Sequence, residues 1–177
     1  MKAICIVLSI GFMSWAIPVC AQSIQSDFDN SYDLSKLKSY DFAPQNQGFQ
    51  GTLMQNSLNG KRIREALELH LNASGIVKVE SGKPDFFISY RIGSRPSTRT
   101  VTRDIPAGRR GGGATIDIPQ RYTEGSLIVD FTESAGNQLV WRGYATDPID
   151  PAKPEKMIQK GIEKMVKQFI KDSGRKK

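Results

Sequence analysis

Cysteine is almost missing from this 177-residue chain, and the two that occur, Cys5 and Cys20, both lie within its first 21 positions. Those positions read as a secretory signal peptide. They carry one positive charge at Lys2, an apolar run from Ala3 to Ile17, the helix breaker Pro18, and then Val19, Cys20 and Ala21. The run is too short for a comfortable transmembrane helix, and the small residues Val19 and Ala21 predict cleavage between Ala21 and Gln22. A chain beginning at Gln22 has no thiol, which excludes disulfides, thiolate metal sites and cysteine nucleophiles. The fold must then hold by its core alone in an oxidising compartment, the periplasm. The alternative makes Cys20 the lipidated first residue of an outer-membrane lipoprotein, although Val19 stands where such sites usually have Gly or Ala.

Histidine is nearly as scarce. His70 is the sole example, and it falls on the apolar face of a predicted helix, where a core-edge residue is expected rather than a general base. Without a second histidine a metal site would need carboxylates that the pattern does not assemble. Catalytic signatures fare no better. Ser35 and Lys38 match the S-x-x-K of penicillin-binding proteins, but the stretch reads as a turn entering a strand and no S-D-N or K-T-G element accompanies it. Glu124 and Asp130 share one predicted strand face, yet six residues at about 3.3 Å each put them roughly 20 Å apart, beyond the ~5 to 9.5 Å that glycoside hydrolysis uses. Gly111 to Gly113 lacks the lysine and the Ser or Thr of a phosphate loop and reads as a hinge. No catalytic, cofactor-binding or metal-binding residue is assigned.

What the chain does contain is apolar alternation. Tyr122 to Tyr144 predicts one long hairpin, with Leu127, Val129 and Phe131 on one face of the first arm and Leu139, Trp141, Gly143 and Ala145 on one face of the second. A turn at Ser134 to Gly136, with Gly136 at positive φ, sets Phe131 against Leu139, Val129 against Trp141 and Leu127 against Gly143. Asp130 then lies diagonal to Arg142, about 7 Å away, in a partly exposed ion pair. Further strands are predicted over 24–30, 37–43, 76–79 and 84–92. Gln45 to Gln55 reads as a loop after Pro44. A helix over about 59–74 carries Ile63, Ala66, Leu67, His70 and Leu71 on one face and stops at Gly75. A second, opening at Pro154, carries Ile158, Ile162, Met165, Val166 and Phe169 on one face and lysines on the others. The organisation read from this is a signal peptide over 1–21, a single domain over 22–171, and a frayed basic tail over 172–177.

Lys and Arg outnumber Asp and Glu by 25 to 18, a formal charge of +7. The excess concentrates in 94–121. There Arg95, Arg99, Arg103, Arg109, Arg110 and Arg121 stand against Asp104 and Asp117, six minus two giving +4. Interrupted by Pro96, Pro106, Pro119 and three consecutive glycines, the segment is expected to be a flexible loop. A secreted chain is not expected to meet nucleic acid. Phospholipid head groups, lipopolysaccharide phosphates or an acidic protein are the natural counterparts of this charge, with Arg95, Arg99, Arg103, Arg109 and Arg110 as the contacts.

Three blocks carry a family resemblance: DFDNSYDLSKLKSYDF over Asp27 to Phe42, PDFFISY over Pro84 to Tyr90, and Tyr122 to Ala145, which holds EGSLIVDF and LVWRGYA. The chain resembles the bacterial cell-envelope proteins grouped as DUF4136, many of them lipoproteins, over nearly all of 24–170. The resemblance implies a small α+β domain with a mainly antiparallel sheet around a long central hairpin, two helices packed on it, and residence in the cell envelope. It implies no activity. The chain departs from the family in its lipidation site and in the length and basicity of its arginine-rich segment.

The function expected is that of a non-enzymatic periplasmic or cell-envelope protein acting through its surfaces as an adaptor, assembly or stress factor. Its partner would be an envelope protein or an anionic envelope surface met peripherally. The first alternative is a binding module for a lipid, glycan or other anionic envelope ligand seated between helix and sheet. A hydrolase comes third. No cofactor and no oligomeric state are read from the sequence.

Overall fold

The apolar alternation of the sequence closes into one six-stranded sheet covered on one face by two helices. The computed structural model describes residues 23–44, 58–106, 114–150 and 152–175. The leader with Cys20, Ala21 and Gln22, the glutamine-rich 45–57, and 107–113 with Arg109 and Arg110 lie outside the described residues. In chain order come β1 (Ser23–Phe28), a single 3-10 turn (Leu34–Lys36), β2 (Ser39–Phe42), α1 (Leu58–Ala73), β3 (Val77–Lys78), β4 (Phe86–Ile105), β5 (Ala114–Glu133), β6 (Leu139–Pro148) and α2 (Pro154–Asp172).

The strand order is β1-β6-β5-β4-β2-β3. Each neighbouring pair in β1-β6-β5-β4 is antiparallel, whereas β2 runs parallel to both β4 and β3. The domain is therefore α+β with a mixed sheet, and the expectation of a mainly antiparallel one is corrected. The parallel pairings follow from α1, which carries the chain back across the sheet between β2 and β3, as a parallel connection requires.

One core joins the layers. Phe86, Ile88, Val129, Phe131 and Trp141 project from the strands against Ile63, Leu67 and Leu71 of α1 and Ile162, Met165 and Phe169 of α2. Each such side chain contributes about 1.5–3 kcal/mol by leaving water. Phe131 is the hub, with ring centroids of Phe86, Trp141 and Phe169 at 4.7, 4.8 and 4.8 Å.

The β5–β6 register differs from the expected one. Phe131 faces Trp141, Val129 faces Gly143 and Leu127 faces Ala145. The turn falls at Ser134 to Gly136 as expected, but the connection runs on through Asn137 and Gln138 before β6, and the positive φ is at Asn137 (54°), not Gly136. A shift of two residues leaves every inward side chain inward, which is why the faces were readable and the partners were not. An irregularity between Phe131 and Thr132 breaks the alternation beyond it and leaves Leu139 exposed. The longer connection also puts Arg142 directly opposite Asp130. The tail is not frayed through 175. Asp172 Oδ2 accepts from Trp141 Nε1 at 2.9 Å, and Arg175 donates to the carbonyls of Ser35 and Leu37 at 2.9 and 2.6 Å.

Two positions test this packing. A Cβ on Gly143 would stand 2.5 Å from the Trp141 ring and 2.6 Å from Met165 Cγ, because α2 lies directly on β6 there. Gly143→Ala is expected to cost about 1–3 kcal/mol in urea unfolding, as overpacked cores do, and Met165→Ala in the same chain should recover part of it. Asp85 Oδ2 accepts from the backbone N–H groups of Lys38 and Ser39 at 2.9 and 2.8 Å, fastening the start of β2 to that of β4. Burial raises its pKa, but the hydrogen bonds from Lys38 and Ser39 outweigh it and hold the carboxyl below its usual value. A depressed folded pKa contributes stability above the unfolded value near 3.9 that is lost as pH falls through the folded one. Stability should therefore drop less steeply below about pH 4 in Asp85→Asn than in the wild type, measured by unfolding at a series of pH values.

Candidate functional site

β6 stops pairing with β5 at Glu124–Pro148. Beyond that point β4 and β5 continue alone, from Pro96–Thr123 to Ile105–Ala114, ten further pairs. At about 3.3 Å per residue this two-stranded ribbon reaches roughly 33 Å past the sheet. It replaces most of the loop expected over 94–121. Thr98, Thr100, Val101, Thr102 and Ile105 on one strand, and Thr115, Ile116 and Ile118 on the other, are β-branched and favour extended backbone. The sheet below fixes their register. Pro96 and Pro119 are tolerated because every strand of a lone ribbon is an edge strand.

Strand alternation gives the ribbon two different sides. On one, the cross-strand pairs are Arg95–Glu124, Ser97–Tyr122, Arg99–Gln120, Val101–Ile118, Arg103–Ile116 and Ile105–Ala114. Arg95 donates to Glu124 Oε1 from Nε at 3.0 Å and Nη2 at 2.7 Å, and this hydrogen bond lifts the guanidinium above its usual pKa. Arg99 donates twice to Gln120 Oε1 at 3.0 and 2.9 Å and lies 5.6 Å from the centre of the Tyr122 ring. Arg103 has no partner among the described residues. The other side pairs Thr102 with Asp117 and Asp104 with Thr115, each through a hydrogen bond of 2.8–2.9 Å. Arg121 is there too, opposite Thr98. Past Arg95 the first side thus holds two arginines and no acid, and the second one arginine and two aspartates.

At the foot of the ribbon, where β4, β5 and β6 pass the first turns of both helices, a cavity of about 180 Å³ opens to solvent. Ile63, Ile92, Leu127, Met157 and Ile158 make it apolar. Asn59, Thr146 and Asp147 give it polar groups. Burial raises the Asp147 pKa, against the opposing pull of Lys160 and Lys164.

The remaining candidates do not assemble chemistry. Asp130 is 8% exposed and held by Arg142, at 2.6 Å to Oδ1 and 3.0 Å to Oδ2, and by Arg91 at 2.9 Å. Three adjacent strands are tied by this cluster, which is more buried than the diagonal pair expected. Glu124 belongs to Arg95, far from Asp130 along the strand. The Ser35 hydroxyl bonds Asp33 in the 3-10 turn, while Lys38 leads into β2. His70 is half-buried on α1. Among the described residues no group of three or more His, Cys, Asp or Glu is placed to hold a metal ion, and no helix is long and apolar enough to cross a membrane. The ribbon, and the residues that line the cavity between helices and sheet, are what sequence reasoning missed. The signal for the ribbon was present in the alternation of Arg99, Val101, Arg103 and Ile105, overshadowed by the prolines. The cavity had no local signal.

Residues 24–169 match the family model described as domain of unknown function DUF4136. Among solved structures, a PDZ domain protein from Parabacteroides distasonis is similar with a TM-score of 0.56 at 12% identity, over 82% of this chain and 35% of that one, a likeness of fold. Two crystal forms of the PelC dodecamer from Paraburkholderia phytofirmans align with TM-scores of 0.47, for a point variant, and 0.45, at 11% and 10% identity. They are covered over 97% and 100% of their length by 84% and 89% of this chain. No curated protein matches.

Proposed function

The chain belongs to the DUF4136 family, a domain of unknown function, and from that footing we propose that it is a non-enzymatic protein of the periplasm or cell envelope that docks through its ribbon on an anionic partner. One observation supports this above the rest: the ribbon projects past the core with Arg99 and Arg103 on an acid-free side. Such a projection adds little to the stability of the domain, since a lone two-stranded ribbon is marginal in water. It does present charge where a large surface can reach it. The leader-like 1–21 supports the compartment. Association would be salt-dependent, because exposed charges are screened within about 8 Å at physiological ionic strength.

A second reading is favoured by the cavity. An apolar recess with a few polar groups at its rim is the usual form of a small-ligand site, and its volume is comparable to the engineered cavity of about 150 Å³ known to take benzene. The ligand would be the apolar end of a small amphiphile.

Each reading has its measurement. In sedimentation with anionic vesicles at low salt, replacing Arg99, Arg103, Arg109 and Arg110 by Ser is expected to weaken binding at least about tenfold, given about 1 kcal/mol per basic residue near the surface. Unchanged binding would sink the docking proposal. For the cavity, a neutral naphthylamine dye should gain fluorescence with the wild type and lose that gain in Met157→Trp, which fills the recess. Equal dye response in both chains, with melting temperatures matched, removes the ligand reading.

A further inference from the structure

Charge does not explain why the arginine side of the ribbon is also its aliphatic side. Val101, Ile105 and Ile116 are 37%, 45% and 39% exposed, and Ile118, half-buried, is paired with Val101. All four stand among Arg99 and Arg103 on the same side, whereas the opposite side holds Thr, Asp, Pro and Arg121 with no aliphatic side chain larger than proline. Two-stranded alternation would scatter these residues at random if they were only β-formers. Here every isoleucine and valine of the projecting ribbon shares the arginine side.

We infer that this side of the ribbon is a lipid-contacting surface, in which Val101, Ile105, Ile116 and Ile118 enter the interfacial layer of an anionic bilayer while Arg99 and Arg103 engage lipid phosphates. The inference rests on the docking reading above and names its partner. A soluble polyanion would satisfy the arginines and leave the aliphatics in water. A bilayer surface meets both, because basic and apolar groups together are what holds peripheral elements at the headgroup boundary. Neighbouring side chains across the ladder lie about 4.5–5.5 Å apart, so Val101–Ile118 and the adjoining Arg103–Ile116 form one continuous patch. The ribbon cannot cross the hydrocarbon by itself, since both of its edges carry backbone groups with no partner there. It lies at the surface, polar Thr and Asp side outward.

The test uses the chain beginning at Gln22, which has no cysteine of its own. Ile116→Cys and Thr102→Cys, on opposite sides of the ribbon, are each labelled with an environment-sensitive nitrobenzoxadiazole dye. On phosphatidylglycerol vesicles the label at 116 is expected to brighten at least about twofold and to be quenched by nitroxide-bearing lipids, and the label at 102 to change little. Val101→Ser with Ile118→Ser, with circular dichroism confirming the fold, should weaken vesicle binding about tenfold or more at low salt. Polyglutamate serves as the soluble polyanion. If neither label shifts on vesicles, and the serine pair binds as the wild type does, while the arginine replacements still abolish binding, the lipid inference falls and docking by charge survives. An equal shift at 116 with polyglutamate overturns it as well. If the wild type binds neither vesicles nor polyglutamate, both readings fall together.

Discussion

Phe131 is the point on which the rest of the structure depends. Its ring touches those of Phe86, Trp141 and Phe169, so one side chain ties β4, β5, β6 and α2 together. Aromatic contacts of this kind add about 0.5–1.5 kcal/mol each beyond the burial of their area. Their larger consequence is positional. With Phe131 fixed against Trp141, no sliding of β5 past β6 is compatible with the core, and with Ile88 opposite Phe131 the β4–β5 register is fixed too.

That register is transmitted outward. The ribbon has no core of its own, and its two sides differ only because the alternation set inside the domain continues unbroken to Ile105–Ala114. A slip by one residue would move the aliphatics of one strand to the side of the aspartates. The buried core thereby determines which chemistry the distant ribbon presents, and Asp130, clamped between Arg91 and Arg142, reinforces the same three strands from the face without helices.

Helices cover one face only, and α2 approaches β6 closely enough that Gly143 can carry no side chain. Its last turn is held by Trp141 through Asp172, and the residues after it by Arg175 on the backbone before β2. The two ends of the described chain are thus built into the fold. Cavity and ribbon occur together where β6 ends and the helices start, because there the third strand and the covering layer both run out.

Period and punctuation determined much from the sequence alone. The two-residue repeats of Phe86–Ile88–Tyr90 and Leu127–Val129–Phe131, the helical repeat of Ile162–Met165–Phe169, the stops at Pro44 and Gly75 and the start at Pro154 are local, so elements, inward faces and the α+β class were legible. The family was legible in the 122–145 block for the same reason. Partners across the sheet were not, since a two-residue register shift preserves every face while changing every neighbour. Tertiary structure decided that β2 runs parallel to β4, that Asp130 is shared by two arginines, and that Asp172 and Arg175 dock. It also decided that 96–105 and 114–123, much of which was expected to be loop, pair as a two-sided ribbon. A strand pairing is a contact between distant parts of the chain, and its energy depends on what the rest of the fold has already brought into register.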